Sequence, residues 1–269
     1  MADFYKGKYV IITGGSEGIG RALALDLTKA GADVSILSRT IQKLEQTHKE
    51  MESFRVSKEQ KINYAVCDVT QFETVRKVID ELIFDHKVPD ILMNVAGYAQ
   101  PGYIHEQEIH HFDEMINLNL FGVVHTCKAL TPYFMKEKKG IILNTSSMAG
   151  FLGLFGYTAY CASKFAVVGF SEALRRELKP YNIQVSVLCP PNTKTPGLEK
   201  ENRVKPKEIL ETEEKAKVVT AEEVSTATLK DLKKKKTMII PTTDGSLAYF
   251  LNKISPKIID QFVKRKIDI

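Results

Sequence analysis

The first thirty residues place an apolar run, a cluster of glycines and a helical pattern in immediate succession. Residues 9–13, Tyr-Val-Ile-Ile-Thr, form a short unbroken apolar segment typical of a buried parallel strand. Glycines follow at positions 14, 15, 18 and 20, and residues 21–30 then carry apolar side chains at helical spacing. A glycine turn at the start of a helix lets backbone N–H groups approach a pyrophosphate. The segment therefore predicts a dinucleotide-binding strand, turn and helix.

The end of the second predicted strand, residues 33–38, distinguishes the two nicotinamide dinucleotides. A site for NAD carries an Asp or Glu about 20 residues after the turn, where it accepts a hydrogen bond from the ribose hydroxyl. This chain has Ser38 and Arg39 there, followed by Lys43 in the next helix. Because cations pair strongly with a 2′-phosphate, the sequence favours NADP; the alternative is that Arg39 and Lys43 are ordinary surface charges.

The rest of the chain alternates apolar runs with helical patterns. Runs that predict further strands lie at residues 62–67, 91–94, 140–146, 184–188 and 238–240. Helical spacing is present over residues 71–84, 110–138, 158–178 and 220–233. Strands separated by helices indicate an α/β fold with a parallel sheet. The sequence predicts a single doubly wound Rossmann-type domain over residues 1–269, with a mostly parallel seven-stranded sheet and helices on both faces.

Polar residues follow or interrupt several of these elements. Asp68 comes directly after the third predicted strand, where its carboxylate is expected to reach the amino group of an adenine. Small residues within 94–97 follow the fourth strand and leave room for a ribose beside the backbone. Asn119 lies inside the long helix, where burial requires hydrogen bonds. We expect its side chain to bridge helix and sheet or to hold a water molecule.

A serine, a tyrosine and a lysine form the predicted reaction centre. Tyr160 and Lys164 are one helical turn apart, and Ser147 follows the fifth predicted strand. A free phenol has a pKa of about 10, and a neighbouring ammonium is expected to lower it toward the range useful for proton transfer. An isolated Tyr and Lys at this spacing are more often a solvated pair. The glycine turn upstream favours the catalytic interpretation, in which Ser147 shares the substrate oxygen with the phenol.

Composition and residue spacing exclude several classes of function. The 38 Lys and Arg residues exceed the 33 Asp and Glu residues only slightly and are scattered, which argues against nucleic-acid binding. Four cysteines occur singly and six histidines show no ligand spacing, which indicates a reducing compartment and no metal site. The first strand leaves no room for a signal sequence, and no apolar run spans a bilayer. We therefore expect a cytoplasmic protein, with peripheral membrane contact as the alternative.

Two segments near the carboxyl end differ from the rest of the chain. Residues from about 190 to 220 contain four prolines among polar residues and lack a clear period, so they are predicted to form a substrate lid. Residues 246–269 are amphipathic and interrupted by Pro256. Their apolar face includes Ile258, Ile259, Phe262 and Val263. Docking of this tail on the protein's own core is favoured over contact with a membrane.

Five of these features, taken in order, resemble the classical short-chain dehydrogenase/reductase family. They are Thr-Gly-Gly-Ser-Glu-Gly-Ile-Gly at 13–20, Asn-Val-Ala-Gly at 94–97, Asn119, Ser147 and Tyr-Cys-Ala-Ser-Lys at 160–164. The resemblance covers about residues 7–190. It implies a catalytic tetrad of Asn119, Ser147, Tyr160 and Lys164. It also implies a homodimer or homotetramer assembled through the two long helices.

A narrower likeness concerns the substrate. Segments at residues 153–160, 179–182, 190–197 and 201–206 resemble the 3-ketodihydrosphingosine reductase family. That resemblance implies reduction of the ketone of a long-chain sphingoid base, a lipid-like substrate, with NADPH in sphingolipid synthesis. The chain departs from this family at Asn192 and Lys194, where aspartates are usual, and at Glu17, where serine is usual.

The predicted activity is NADPH-dependent reduction of a ketone to a secondary alcohol. Tyr160 would deliver the proton, Ser147 would bind the oxygen, Lys164 would assist the phenol and hold the ribose, and Asn119 would hold a water. The predicted cofactor site comprises Gly14, Ser16, Glu17, Gly18, Ile19, Gly20, Arg39, Lys43, Asp68, Val69, Asn94, Ala96, Gly97, Tyr160, Lys164, Pro190 and Thr193. Two alternatives remain open: reduction of another carbonyl, such as a 3-oxoacyl thioester, a steroid or a small ketone, and a non-catalytic NADP-binding sensor.

Apolar side chains around the reaction centre suggest where a long chain would lie. The predicted pocket comprises Phe151, Leu152, Leu154 and Phe155 together with Tyr98, Tyr103 and Leu198. Ordinary core packing explains such a run more often, so the long-chain substrate depends mainly on the family likeness.

Overall fold

A computed structural model describes residues 2–213 and 217–255 of the chain. The strands of this part are β1 (Tyr9–Thr13), β2 (Asp33–Ser38), β3 (Ile62–Val66), β4 (Ile91–Asn94), β5 (Gly140–Thr145), β6 (Ile183–Leu188), β7 (Thr193–Lys194), β8 (Val219–Thr220) and β9 (Met238–Ile239). Its α-helices are α1 (Ala2–Tyr5), α2 (Gly18–Lys29), α3 (Ile41–Ser53), α4 (Phe72–Asp85), α5 (Ile109–Met115), α6 (Gly122–Glu137), α7 (Thr158–Leu178), α8 (Pro196–Val204), α9 (Lys207–Glu213), α10 (Ala221–Lys233) and α11 (Thr243–Ile254).

One seven-stranded sheet organises the described residues. All its strands are parallel, in the order β3-β2-β1-β4-β5-β6-β9. The chain runs outward from β1 to β3 and then crosses to β4 on the other side of β1. A cleft opens beyond the carboxyl ends of strands at such a change of direction, and ligands bind there in open α/β sheets. The predicted fold class is confirmed, and each predicted strand of the sheet ends within one residue of its observed bounds.

Helices cover both faces of this sheet, as the apolar strands require. In β1, Val10 and Ile12 face the core beneath α2, α3 and α10, whereas Tyr9 and Ile11 face the core beneath α4, α6 and α7. Successive side chains of a strand point to opposite faces. A strand that is buried on both faces therefore has no position that faces solvent, which explains the apolar run in the sequence.

The long helix predicted over residues 110–138 contains an irregular turn. Between α5 and α6, residues Ile116–Phe121 form a π-helical segment that contains the fully buried Asn119. A π turn inside an α-helix often occurs at a functional site, because the extra residue changes the direction of nearby side chains. Here it places Asn119 in contact with the loop after β4.

The lid region is more regular than its sequence suggested. Residues 193–213 form the short strand β7, which pairs with β8, followed by helices α8 and α9. The side chain of Thr195 caps α8 by accepting from the backbone N–H of Leu198. The absence of a helical period misled the prediction, because α8 has no buried residue and therefore no need for a continuous apolar stripe.

Two expectations near the carboxyl end have different outcomes. Thr220 and Glu223 form the capping box that the sequence indicated at the start of α10. The tail residues 256–269, which contain the predicted apolar face, lie outside the described residues. Within the described ranges, no helix combines the length and the apolar character needed to cross a bilayer.

Candidate active site

A cleft of about 440 Å³ lies beyond the carboxyl ends of the central strands. The glycine turn after β1, the loops after β2, β4 and β5, the start of α7 and the lid helices all contribute to its wall. Most predicted cofactor residues line this cleft: Gly14, Ser16, Glu17, Gly18, Ile19, Gly20, Arg39, Lys43, Val69, Ala96, Gly97, Tyr160, Lys164, Pro190 and Thr193. The topology therefore brings together residues that are up to about 180 residues apart in sequence.

The glycine turn forms a cradle that side chains would fill. Gly14 has a φ of +67°, and a Cβ there would lie 2.7 Å from the backbone nitrogen of Ala96. Gly18 also has a positive φ, at +57°. Thr13 fixes the neighbouring loop, because its hydroxyl accepts from the backbone N–H groups of Val95 and Ala96. The turn can thus approach a bound phosphate closely and present the start of α2 to its charge.

Two cations lie at the end of β2, where the sequence predicted them. Arg39 is exposed at the rim of the cleft, and no carboxylate of residues 2–213 and 217–255 lies within ion-pair distance of it. Lys43, in the first turn of α3, contacts the carboxylate of Glu17. The second oxygen of Glu17 lies 3.7 Å from the ammonium of Lys200 on α8. The cofactor end of the cleft therefore carries three cations and one carboxylate.

This donor set fits a phosphorylated dinucleotide. The glycine cradle suits the pyrophosphate, and Arg39 and Lys43 suit a 2′-phosphate. Ser38 also lines this end, and its hydroxyl is buried without a hydrogen-bond partner among the described residues. An unpartnered buried hydroxyl is costly unless a ligand satisfies it. The residues present are therefore suited to hold NADP(H).

Ser147, Tyr160 and Lys164 converge at the opposite end of the cleft. Ser147 follows β5, and its hydroxyl accepts from the backbone N–H of Ala149 at 3.2 Å, which fixes its position. Tyr160 lies in the first turn of α7, close enough to Ser147 for that hydroxyl to influence the pKa of its phenol. The ammonium of Lys164 is buried, donates to the carbonyl oxygen of Thr145 at 3.1 Å and lies 5.6 Å from the centre of the Tyr160 ring.

The pKa of Tyr160 is shifted in the direction opposite to that expected. Burial raises the pKa of the phenol well above 10, and the nearby Ser147 hydroxyl offsets only part of this effect. Burial also lowers the pKa of Lys164 to about 8. Desolvation disfavours the charged form of both groups. In this arrangement the lysine does not make the phenol acidic, so Tyr160 is a protonated acid at neutral pH.

Asn119 joins the long helix to the loop after β4 and to α7. Its side-chain oxygen accepts from the backbone N–H of Tyr98 at 3.0 Å, and its amide donates to the carbonyl oxygen of Tyr98 and to the hydroxyl of Ser163. A Cβ at Gly97 would lie 2.8 Å from the Asn119 oxygen and 3.2 Å from the Lys164 nitrogen. The amide therefore bridges helix and loop, and its oxygen shares a small space with the ammonium of Lys164.

Asp68 and Asn94 are the predicted cofactor residues that the structure keeps out of the cleft wall. One oxygen of Asp68 accepts from the backbone N–H and the hydroxyl of Thr70, so the carboxylate stabilises the turn before α4. Asn94 donates to Asn144 on β5 and accepts from Thr126 on α6. Both side chains therefore support local structure, while the second oxygen of Asp68 has no hydrogen-bond partner among the described residues.

The lid contributes a buried polar cluster that the sequence did not predict, which we call the lid cluster: Tyr157, Asn192, Glu201, Lys205 and Glu213. The Lys205 ammonium lies 3.1 Å from Glu201 and 2.8 Å from Glu213. The Tyr157 hydroxyl lies 2.5 Å from Glu201 and 2.9 Å from Glu213, and Asn192 donates to Glu213. Tyr157, Asn192, Glu201 and Glu213 line the cleft. Only folding of α8 and α9 brings them together, so no local motif revealed them.

The predicted apolar pocket is present only in part. Leu154, Tyr98 and Leu198 line the cleft. Phe151 instead packs edge-on against Tyr249 on α11, and Leu152 joins the same cluster. Phe155 packs against Tyr103, with ring centres 5.5 Å apart. The cleft therefore has an apolar wall beside the reaction centre, although most of the aromatic side chains stabilise the surrounding loops.

Comparison with known proteins agrees with this geometry. Residues 8–206 match the family model described as short chain dehydrogenase. The chain belongs to the short-chain dehydrogenase/reductase family. It is therefore an oxidoreductase that acts on an alcohol and ketone pair.

Individual members of the family are similar to this chain over a longer span than the family model covers. The 3-dehydrosphinganine reductase of Danio rerio is 39% identical over 226 residues, which span 84% of this chain and 68% of that protein. Among solved structures, ElxO with NADP bound is 27% identical, with a TM-score of 0.76 over 87% of this chain and 98% of that one. NAD⁺-bound xylitol dehydrogenase is 25% identical, with a TM-score of 0.79 over 88% of this chain and 98% of that one. The fold alone thus holds either dinucleotide.

Proposed function

We propose that this chain catalyses the NADPH-dependent reduction of 3-ketodihydrosphingosine to dihydrosphingosine. The observation that carries the proposal is the convergence of Ser147, Tyr160 and Lys164 on one end of a cleft whose other end is a phosphate cradle. The similarity to a 3-dehydrosphinganine reductase supports the choice of substrate. The cations Arg39 and Lys43 support the choice of NADPH.

In the proposed mechanism, each residue has one role at the ketone. NADPH, when bound, supplies the hydride. The phenol of Tyr160 donates its proton to the carbonyl oxygen as charge develops there, and the Ser147 hydroxyl donates a second hydrogen bond to that oxygen. Lys164 holds the ribose and restores the phenol proton. Asn119 holds a water near the ammonium through its side-chain oxygen, which retains one acceptor position beyond its bond to Tyr98.

The lid cluster supports an amino ketone as the substrate. The amino group of a sphingoid base lies on the carbon next to the ketone and is protonated at neutral pH. Glu201 and Glu213 contribute two carboxylates against the single ammonium of Lys205, so the cluster has a formal charge of −1 beside the reaction centre. We propose that this excess charge takes the place of the aspartates that the family has at Asn192 and Lys194.

The test compares three carbonyl compounds of matched chain length. We expect NADPH oxidation to be fastest with 3-ketodihydrosphingosine, slower with the long-chain ketone that lacks the amino group and slowest with a 3-oxoacyl thioester. A higher rate with the thioester would favour reduction of another carbonyl. NADPH binding without turnover of any of the three would favour the sensor. Either result would refute the proposed substrate.

We propose a homodimer or homotetramer that assembles through the two long helices. Large aromatic side chains are exposed on both: Phe121 in the π-helical turn and Phe165 on α7 are each more than two-fifths exposed. Apolar side chains of this size on an exposed helix face are typical of a subunit interface. Light scattering of the purified chain should show an oligomer, and Phe165→Asp should shift it toward the monomer. A monomeric wild-type protein would contradict the proposal.

We further propose peripheral membrane contact through α11, as part of a cytoplasmic location. Leu247, Phe250 and Ile254 are each more than half exposed and lie at helical spacing on one face. The helix packs against the loop that carries the reaction centre, because Asn252 donates to the carbonyl oxygen of Phe151. A lipid-like substrate could thus enter from a membrane beside the cleft. Vesicle sedimentation should decrease with Phe250→Ser; retention equal to that of the wild type would refute this contact.

A further inference from the structure

Glu17 lies among cations at the cofactor end of the cleft. It directly precedes α2, yet its carboxylate makes no capping hydrogen bond to that helix. One oxygen contacts Lys43 on α3, and the other lies 3.7 Å from Lys200 on the lid helix α8. The Glu17 carboxylate therefore interacts with two lysines from different elements, and both lysines line the cleft.

This placement has opposite consequences for the two dinucleotides. Lys43 is one of the two cations suited to a 2′-phosphate, and Glu17 occupies it when no phosphate is present. A phosphate bound by Lys43 would also be repelled by the Glu17 carboxylate, because both groups are negative. NAD(H) carries a neutral hydroxyl at the same position, so the charge of Glu17 has little effect on its binding.

We propose that Glu17 is a specificity-determining residue that weakens the preference of this chain for NADPH over NADH. The inference rests on the proposed use of NADPH. A 2′-phosphate draws Lys43 away from Glu17, and Lys200 then remains as the partner of the carboxylate. Lys200 thereby limits the repulsion of the phosphate and connects α8 to the glycine turn when NADPH is bound.

The test measures equilibrium binding of each dinucleotide, by fluorescence titration without any carbonyl compound. Glu17→Gln should tighten NADPH binding about tenfold, which corresponds to about 1.4 kcal/mol, and should change the Kd of NADH less than about twofold. The increase in NADPH affinity caused by Glu17→Gln should be smaller in high salt, because exposed charges are screened. Glu45→Gln is the matched control. It removes the same charge from an exposed position of α3 outside the cleft and should leave both affinities unchanged.

A second variant tests the part assigned to Lys200. Lys200→Met should weaken NADPH binding about threefold when Glu17 is present and should have no effect in the Glu17→Gln background. Equal tightening of NADH and NADPH by Glu17→Gln, or no change in either, would overturn the inference. If the wild-type chain binds neither dinucleotide, the cofactor assignment fails and the inference fails with it. Failure of the proposed carbonyl substrate would not alter these measurements, since none is present.

Discussion

Replacing Lys205 by Met removes the ammonium that two lid carboxylates share. The side chain of Lys205 is completely buried, and the side chains of Glu201 and Glu213 are 17% and 22% exposed. Removing one partner of a buried ion pair costs about 3–5 kcal/mol, because the remaining charge is left uncompensated. Partial exposure of the carboxylates favours the lower value, about 3 kcal/mol. For a chain of this size, that loss corresponds to a decrease in Tm of about 5 °C.

The assay combines thermal unfolding with hydrogen exchange of the lid helices α8 and α9. Hydrogen exchange is needed because local opening of a peripheral segment can precede global unfolding. Lys207→Met is the matched control. It makes the same substitution two residues away, where the side chain is 85% exposed and its ion pair with Glu211 spans 3.5 Å. Such an exposed pair contributes about 0–1 kcal/mol.

A double variant separates loss of charge balance from loss of packing. In the Lys205→Met background, Glu213→Gln removes one of the two uncompensated carboxylates and should restore part of the lost stability. If Lys205→Met lowers neither the Tm nor the protection of the lid helices more than Lys207→Met does, the two carboxylates do not depend on the ammonium. That result would refute the reasoning.

Three further predictions concern the reaction centre and the cradle. Tyr160→Phe should reduce kcat about 10³-fold, because the proposed proton donor is lost, while titration should show nearly unchanged NADPH binding. Burial lowers the pKa of Lys164 from 10.5 to about 8. Without cofactor, the free energy of unfolding of the wild type relative to that of Lys164→Met should therefore increase by about 3 kcal/mol between pH 8 and pH 10.5. Denaturant unfolding measures this difference. Gly14→Ala should abolish dinucleotide binding in the same titration, because its Cβ would lie 2.7 Å from backbone.

Each of these predictions has a result that contradicts it. Substantial turnover by Tyr160→Phe would remove the phenol from the mechanism. The sign of the pH effect follows from proton binding: above pH 8 the folded state holds fewer protons on Lys164 than the unfolded state, so stability rises with pH. If the difference in free energy of unfolding between the wild type and Lys164→Met does not depend on pH, the Lys164 ammonium is not desolvated. Gly153→Ala is the control for Gly14→Ala, since nothing lies within 4 Å of its Cβ, and equal loss of binding in both would exclude a specific clash.

The parts of the fold that could be predicted are those encoded locally. The central strands β1 and β4 are buried on both faces, so their apolar runs have clear ends, and α7 was predicted over the observed Thr158–Leu178. The pair Tyr160 and Lys164 lies in one helix, where spacing alone determines proximity. The glycine turn is recognisable because its backbone conformation and close contacts exclude side chains at Gly14.

Features that depend on distant contacts were not predictable from the sequence. Glu213 enters the cleft only because α9 folds back over Tyr157, which lies 56 positions earlier in the chain. Asn94 is at the expected strand end, yet its side chain forms hydrogen bonds with Asn144 and Thr126, which lie 50 and 32 positions later in the chain. The sequence indicates that a polar group lies near a ligand site. Only the structure shows which other protein groups form hydrogen bonds with it in place of the ligand.

The pKa shift of Tyr160 bears on the form in which its phenol enters the proposed reaction. A phenol made acidic by a lysine would be required for oxidation of an alcohol, where it must accept a proton as a base. Reduction requires the opposite form, since the developing alkoxide is a much stronger base than a phenolate and takes a proton from neutral Tyr160 without assistance. Burial raises the pKa of Tyr160 and so keeps that neutral form populated. In the folded chain, Tyr160 therefore carries the proton that the proposed reduction of a ketone consumes.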